Sequence, residues 1–203
     1  AFTNYGADKR GFILSTELDV PLRQLSLPID IKLVQDLLAR AEANGTSKST
    51  ISPMLEPVVA HLIEKLNDGG TRIREAAFKG LKMVSASTLL GHMSVAMQTL
   101  RPVPPKQRSL WRPIFGRIQV LQDLLENHGL GGSFNADAIM TFCSSVGAFG
   151  HSNGEVREAV KTLTVKLQAL VGTQTLEPQL KKHLRAKQLE EYYAAFEGRT
   201  VTT

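Results

Sequence analysis

The chain has 203 residues, 42% of them apolar, and a net charge of +5 with a pI near 9.4. That is enough apolar material for one large domain or an extended array, and no apolar run reaches the length of a membrane-crossing helix. With no leading Met, no signal-peptide core and a single cysteine, Cys143, it reads as a soluble piece of a longer polypeptide from a reducing compartment.

Helix follows helix along the chain. Residues 1–27 form a segment of undefined structure. Phe12, Ile13, Leu14, Leu18 and Val20 are apolar enough to dock, but Pro21 interrupts any helix. Pro28 opens a helix with Val34, Leu37, Leu38 and Ala41, closed by Asn44-Gly45, and the array proper occupies 28–203. Ser52-Pro53 starts the next helix, whose stripe is Met54, Leu55, Val58, Val59, Leu62, Ile63 and Leu66. Thr71 is expected to cap its successor, with Ile73, Ala77, Leu81 and Val84 on one face.

A further helix covers about Thr88 to Leu100, with Leu89, Met93, Met97 and Leu100 in register, and the loop Arg101-Pro102-Val103-Pro104-Pro105-Lys106 ends it. The next runs from about Ser109 to His128 on Ile114, Ile118, Leu121 and Leu125, since Pro113 is tolerable only in a first turn, and stops at Gly129. Asn135 caps a helix carrying Ile139, Phe142, Cys143 and Val146. Asn153 opens one with Val156, Val160, Leu163, Leu167 and Leu170, ending at Gly172. A single last helix from about Pro178 to Phe196 has an irregular apolar step between Leu184 and Leu189, where its apolar face rotates. No strand pair carries a hairpin signal.

No sequence-local enzyme signature is present. Gly129-Leu130-Gly131-Gly132 precedes no phosphate-loop Lys-Ser/Thr. His61, His92, His128, His151 and His183 share no metal-ligand spacing with one another or with Cys143. Cys143 sits on an apolar helical face, as a core thiol does. The chain is therefore expected to be a binding protein rather than an enzyme, with no cofactor and no metal.

Two features point to the kind of protein. Arg72-Ile73-Arg74-Glu75-Ala76-Ala77 returns as Glu155-Val156-Arg157-Glu158-Ala159-Val160, each copy after a short polar loop and opening an amphipathic helix. Arg74 and Arg157 are 83 positions apart, twice a repeat length within the roughly 40–47 residues of HEAT and armadillo arrays. The expected fold is all-α, an α-solenoid of about four to five antiparallel HEAT-type helical pairs. Both arginines are expected to bond carboxylates or carbonyls of an adjacent repeat. The second feature is charge. Between Glu75 and Asp123 there is no acidic residue, while Lys79, Lys82, Arg101, Lys106, Arg108, Arg112 and Arg117 fall in that stretch. One-signed potential of this kind recruits acidic partners.

Loops inside HEAT repeats align along one edge, here Asn67 to Arg72, Arg101 to Arg108 and Phe149 to Asn153. Trp111 lies just beyond the middle loop and fits two roles, a core residue capping the stack or an interface anchor. A HEAT array with a basic loop edge resembles the TOG-domain family, the tubulin-binding module of microtubule polymerases and related proteins. The residues from about Leu121 to Val160 are similar to its ciliary-tip centrosomal branch. They include Leu121-Gln122-Asp123-Leu124-Leu125-Glu126, Gly129-Leu130-Gly131-Gly132-Ser133-Phe134, Ala138-Ile139-Met140-Thr141-Phe142 and the second copy of the Arg motif. Strong TOG domains carry a Trp in the loop of their first repeat, whereas here no Trp precedes Trp111.

The resemblance implies a cytoplasmic, cytoskeletal protein of the cilium tip, centriole or basal body that binds tubulin or microtubules. Its expected contacts are Arg72, Arg101, Lys106, Arg108, Trp111, Arg112, His151 and Asn153. An alternative is a HEAT scaffold for another ciliary-tip protein. Nucleic acid is not an expected partner, because the acid-free stretch offers only Phe78, Trp111 and Phe115 as stacking platforms. No membrane partner is expected either.

Overall fold

The computed structural model describes Asp36 and residues 38–41, 43–45 and 48–198. The segment 1–27, the helix start at Pro28 with Val34 and Leu37, and the side chains of Met54 and Leu55 lie outside the described residues. Among the described residues every extended element is helical, and the lone β-bridge joins Gly131 to Phe134. The chain divides into two compact units, Ala1–Gly91 and His92–Thr203.

In the first unit, α1 (Lys48–Lys65) and α2 (Thr71–Ala86) form a packed pair. The helix α1 begins at Lys48 rather than at Pro53 and runs through both Pro53 and Pro57. Its buried face of Val58, Val59, Leu62, Ile63 and Leu66 explains why. Each such side chain stabilises the fold by about 1.5–3 kcal/mol, and together they outweigh the roughly 3 kcal/mol cost of an interior proline. Pro57 is exposed, so water can reach the carbonyl left without its amide. Opposite this face α2 buries Ala77, Gly80, Leu81 and Val84. A Cβ on Gly80 would stand 3.0 Å from Leu62 Cδ2, so glycine is what lets the two helices meet here. Thr71 is not the cap of α2 but its first residue. Gly70 occupies the cap position, held by Asp68 Oδ1, which accepts from the Gly70 N–H at 2.9 Å.

The second unit contains α3 (Gly91–Thr99), α4 (Trp111–His128), α5 (Ala136–Ser145), α6 (Gly154–Val171), α7 (Thr173–His183) and α8 (Ala186–Phe196). Here α3 departs from the expected register. It buries Val95, Ala96, Gln98 and Thr99, while Met97 is 48% exposed. Leu89 and Leu90 are buried but precede the helix, and Gly91 at φ +72° breaks the spiral that would have aligned them with Met93 and Met97. The expected single last helix is two. Leu184 and Arg185 are extended, which lets α7 bury Leu176 and Leu180 while α8 buries Tyr192 from a new direction. Pro178 lies inside α7 on its exposed side rather than at the helix start.

The caps on α5 and α6 match expectation. Asn135 Oδ1 accepts from the Ala138 amide at 2.9 Å, and Asn153 Oδ1 accepts from Glu155 at 2.8 Å and Val156 at 3.3 Å. Cross-contacts set the layers. Gln122 on α4 donates to the Ala159 carbonyl on α6 at 2.8 Å, and Glu126 pairs with Lys166 one turn on. Residue numbers rise together, so α4 and α6 run parallel. Asp137 with Gln179 and Ser144 with His183 make α5 and α7 parallel in the same way. Fully buried Ile114, Ile118, Leu121, Leu124, Ile139, Met140, Leu163 and Leu167 form the core between these helices.

Candidate functional site

Because α4 and α6 are parallel, their first turns share one edge of the second unit, and so do the loops that lead into them, 100–110 and 146–153. The loop before α4 is pinned at both ends. Val103 is buried among exposed prolines, Arg108 Nε donates to the Val103 carbonyl at 3.1 Å, and Pro105–Gln107 form a 3-10 turn. Arg117 on α4 donates to the Thr99 carbonyl at 3.2 Å and the Arg101 carbonyl at 2.6 Å. It thus satisfies acceptors at the end of α3 and is no part of the outward charge.

Arg101, Lys106, Arg108 and Arg112 are all exposed on this edge. Trp111, the first residue of α4, is half-buried. Its ring meets Phe115 edge-on at 6.0 Å between centroids, and the Arg112 guanidinium lies 5.1 Å from its centroid. Leu110 beside it is 45% exposed. Apolar surface beside a cation, on an edge with further exposed basic residues, is suited to an acidic partner carrying an apolar anchor. Leu110 and Phe115 were not among the expected contacts. The Trp111/Phe115 spacing of four residues on a helix was the available signal.

The loop before α6 behaves differently. His151 is 8% exposed, and its Nδ1 accepts from the Asn153 N–H at 3.1 Å. Its ring is turned inward and shapes the loop rather than facing outward, and the Asn153 side chain is occupied in capping α6. Arg72 is exposed in the first turn of α2, in the other unit.

The two motif arginines have the same geometry. Arg74 Nη1 donates to the carbonyls of Asp68 at 2.8 Å and Gly69 at 3.0 Å, and Arg157 Nη1 to those of His151 at 2.6 Å and Ser152 at 2.9 Å. Each staples the loop that leads into its own helix, not an adjacent repeat as expected, because a guanidinium one turn into the helix reaches back only that far. Arg157 is exposed, so we expect Arg157→Ala to cost about 1–2 kcal/mol, at or below the usual worth of a hydrogen bond to a charged group. Urea melts of the variant check this, and a midpoint equal to the parent's would show the staple to be inert.

A second basic group stands at the α7–α8 break, where Lys182, Arg185 and Lys187 are exposed. Lys181 pairs with Glu177 at 2.7 Å. That hydrogen bond holds the Glu177 carboxyl below the ordinary carboxylate range. The break abuts the loop before α6. Gln188 donates to the Phe149 carbonyl at 3.4 Å, and the Phe149 and His183 rings stack at 6.0 Å. Cys143 is wholly buried, and desolvation pushes its thiol up to about 12. It therefore stays protonated and unreactive at neutral pH. Among the described residues no His, Cys, Asp and Glu side chains converge as a metal set.

Solved structures share this fold. One, the TOG domain of human Cep104, superposes with a TM-score of 0.72 over 91% of this chain and 76% of that chain at 17% identity. A second structure of the CEP104 TOG domain gives a TM-score of 0.75 over 93% of this chain and 77% of that one at 16% identity. The chain has a TOG-domain fold. No protein-family model and no curated protein matches the sequence. The TOG fold is a HEAT-repeat array, and the loop staples at Arg74 and Arg157 share one local geometry.

Proposed function

We propose that this chain is a tubulin-binding TOG-like domain of a ciliary-tip or centriolar protein, and that it grips acidic tubulin through the loop and first turn before and within α4. The observation that carries the reading is the pinned loop 101–108. It holds Arg101, Lys106 and Arg108 outward next to Trp111 and Arg112, in a stretch with no carboxylate of its own. A loop already fixed by Val103 and the Arg108 hydrogen bond loses little entropy when a partner arrives. The Trp111 face, with Arg112 beside it, supplies an apolar anchor. Asn153 in the loop before α6 is a peripheral member of the same proposed contact set, the buried His151 supports that loop, and Arg72 is a separate candidate contact on the first unit. As an intra-repeat edge in a TOG fold, this surface belongs to a cytoskeletal role rather than to catalysis.

The absence of a Trp before Trp111 favours a second reading, a HEAT scaffold whose edge holds a non-tubulin ciliary protein. Gel filtration of the chain with free αβ-tubulin, beside co-sedimentation with microtubules, separates the two. Co-elution at low salt that weakens steeply as salt is raised is the expected result. No association in either assay at low salt would transfer the assignment to the scaffold.

A further inference from the structure

We propose that Ser109 is a phosphorylation site for a basic-directed protein kinase, and that its phosphate switches off the cationic edge. The inference rests on the tubulin reading for its consequence but not for its chemistry. Ser109 is exposed in the turn between the 3-10 segment and α4, and no hydrogen bond engages its Oγ. Lys106 and Arg108 precede it by three residues and one, and Arg112 follows by three. Kinases with acidic substrate subsites read that kind of pattern through charge complementarity.

Other exposed hydroxyls in the described residues lack the combination. Thr71 Oγ1 accepts from Arg74, Ser145 and Thr175 donate to backbone carbonyls, and Thr162 lies inside a helix. Ser133, Thr141 and Ser152 have no Lys or Arg within three positions. The segment around Ser109 can also be drawn out. The turn is held by Arg108 Nε to the Val103 carbonyl and by the amides of Gln107, Arg108 and Leu110, so a kinase cleft has a few local bonds to release.

In the reaction the γ-phosphoryl group of a nucleoside triphosphate passes to Ser109 Oγ. The hydroxyl proton goes to the kinase's base, and the nucleoside diphosphate leaves. The product carries a charge of about −1.5 to −2 at neutral pH and strong acceptor oxygens. Arg101, Lys106, Arg108 and Arg112 are the cations close in sequence to it. The phosphate would draw their guanidinium and ammonium groups into local charge-assisted hydrogen bonds and cancel roughly half of their charge. An acidic partner then meets an edge with roughly half its positive charge.

The test treats the chain with ATP and a basic-directed serine kinase of the cyclic-nucleotide-dependent type, maps the phosphate by mass spectrometry, and measures binding of free tubulin before and after. We expect phosphate on Ser109, a fall in tubulin affinity of roughly tenfold or more, and an unchanged melting temperature. Ser109→Ala should bind as the parent does and keep its affinity after kinase treatment, while Ser109→Asp should weaken binding part of the way. Absence of phosphate from Ser109 overturns the site, and phosphorylated chain that binds tubulin as tightly as before overturns the switch. If the untreated chain fails to bind tubulin, the functional reading falls and the switch with it, and phosphate mapping still decides whether Ser109 is the site.

Discussion

Changing Arg101, Lys106 and Arg108 together to Glu is expected to weaken tubulin binding by about 3 kcal/mol, roughly a hundredfold in Kd, with little change in melting temperature. No single exposed pair suffices, because each contributes about 0.2–1 kcal/mol and is screened within about 8 Å at physiological salt. Charge reversal removes three attractions and adds three repulsions, and that multiplicity carries the effect. All three side chains are exposed, and the fold gives up the hydrogen bond from Arg108 Nε to the Val103 carbonyl. Val103 itself remains as the buried anchor of the loop. Tubulin affinity by fluorescence titration, beside a thermal melt, reads both halves. Parent-like affinity in a folded variant would move the binding surface to Lys182, Arg185 and Lys187 at the α7–α8 break.

Phe134→Ala should be the most destabilising single truncation outside the helices, costing about 3–5 kcal/mol. Phe134 has 0% exposure and is among the largest side chains buried in the molecule. Its backbone exchanges two 2.9 Å hydrogen bonds with Gly131, closing a two-residue turn in which Gly132 adopts φ +52°. The turn delivers the ring into the core and cannot follow it inward once the ring is gone, so the cavity stays open. A loss of melting temperature of about 10 °C is the calorimetric counterpart for a chain of this size. A shift under about 2 °C would mean that the site collapses around the smaller side chain.

Much of the fold was legible because its punctuation is local. Asn135 and Asn153 cap the helices that the sequence assigned to them, and Gly129 and Gly172 end theirs at φ +69° and +79°. The stripes of α4 and α6 were long enough for 3.6-residue periodicity to show, except that Leu170, expected on the α6 stripe, is 53% exposed. The short α3 was not, since nine residues starting at a glycine with positive φ leave the flanking Leu89 and Leu90 off the spiral. The α7–α8 break shows in the sequence only as an irregular apolar step, and whether a chain bends or breaks there depends on what lies opposite. The start of α1 was misplaced for the same reason, as burial of Val59 and Leu62 overrides the local preference of Pro53 and Pro57.

The candidate site was legible as charge but not as direction. Arg117 and Arg112 look alike in the sequence, yet one is folded back onto carbonyls at the end of α3 and the other lies over Trp111. His151 reads as a polar loop residue, and only its hydrogen bond to the Asn153 amide shows it turned inward. Trp111 fits two roles by sequence, and its half-buried ring, with Phe115 at its edge and Arg112 nearby, combines a packed side with an accessible one.

The staple made by Arg74 and Arg157 has a consequence for how such a chain can evolve. Both arginines find their carbonyls five and six residues upstream, so donor and acceptors are encoded within one stretch of the gene. A duplication that copies a helical pair copies the complete loop clasp with it, and a deletion removes it whole. Had the guanidinium reached across to a neighbouring repeat, each such event would have stranded a donor on one side and its acceptors on the other. A locally closed clasp lets an array change its number of helical pairs without simultaneous compensating substitutions elsewhere.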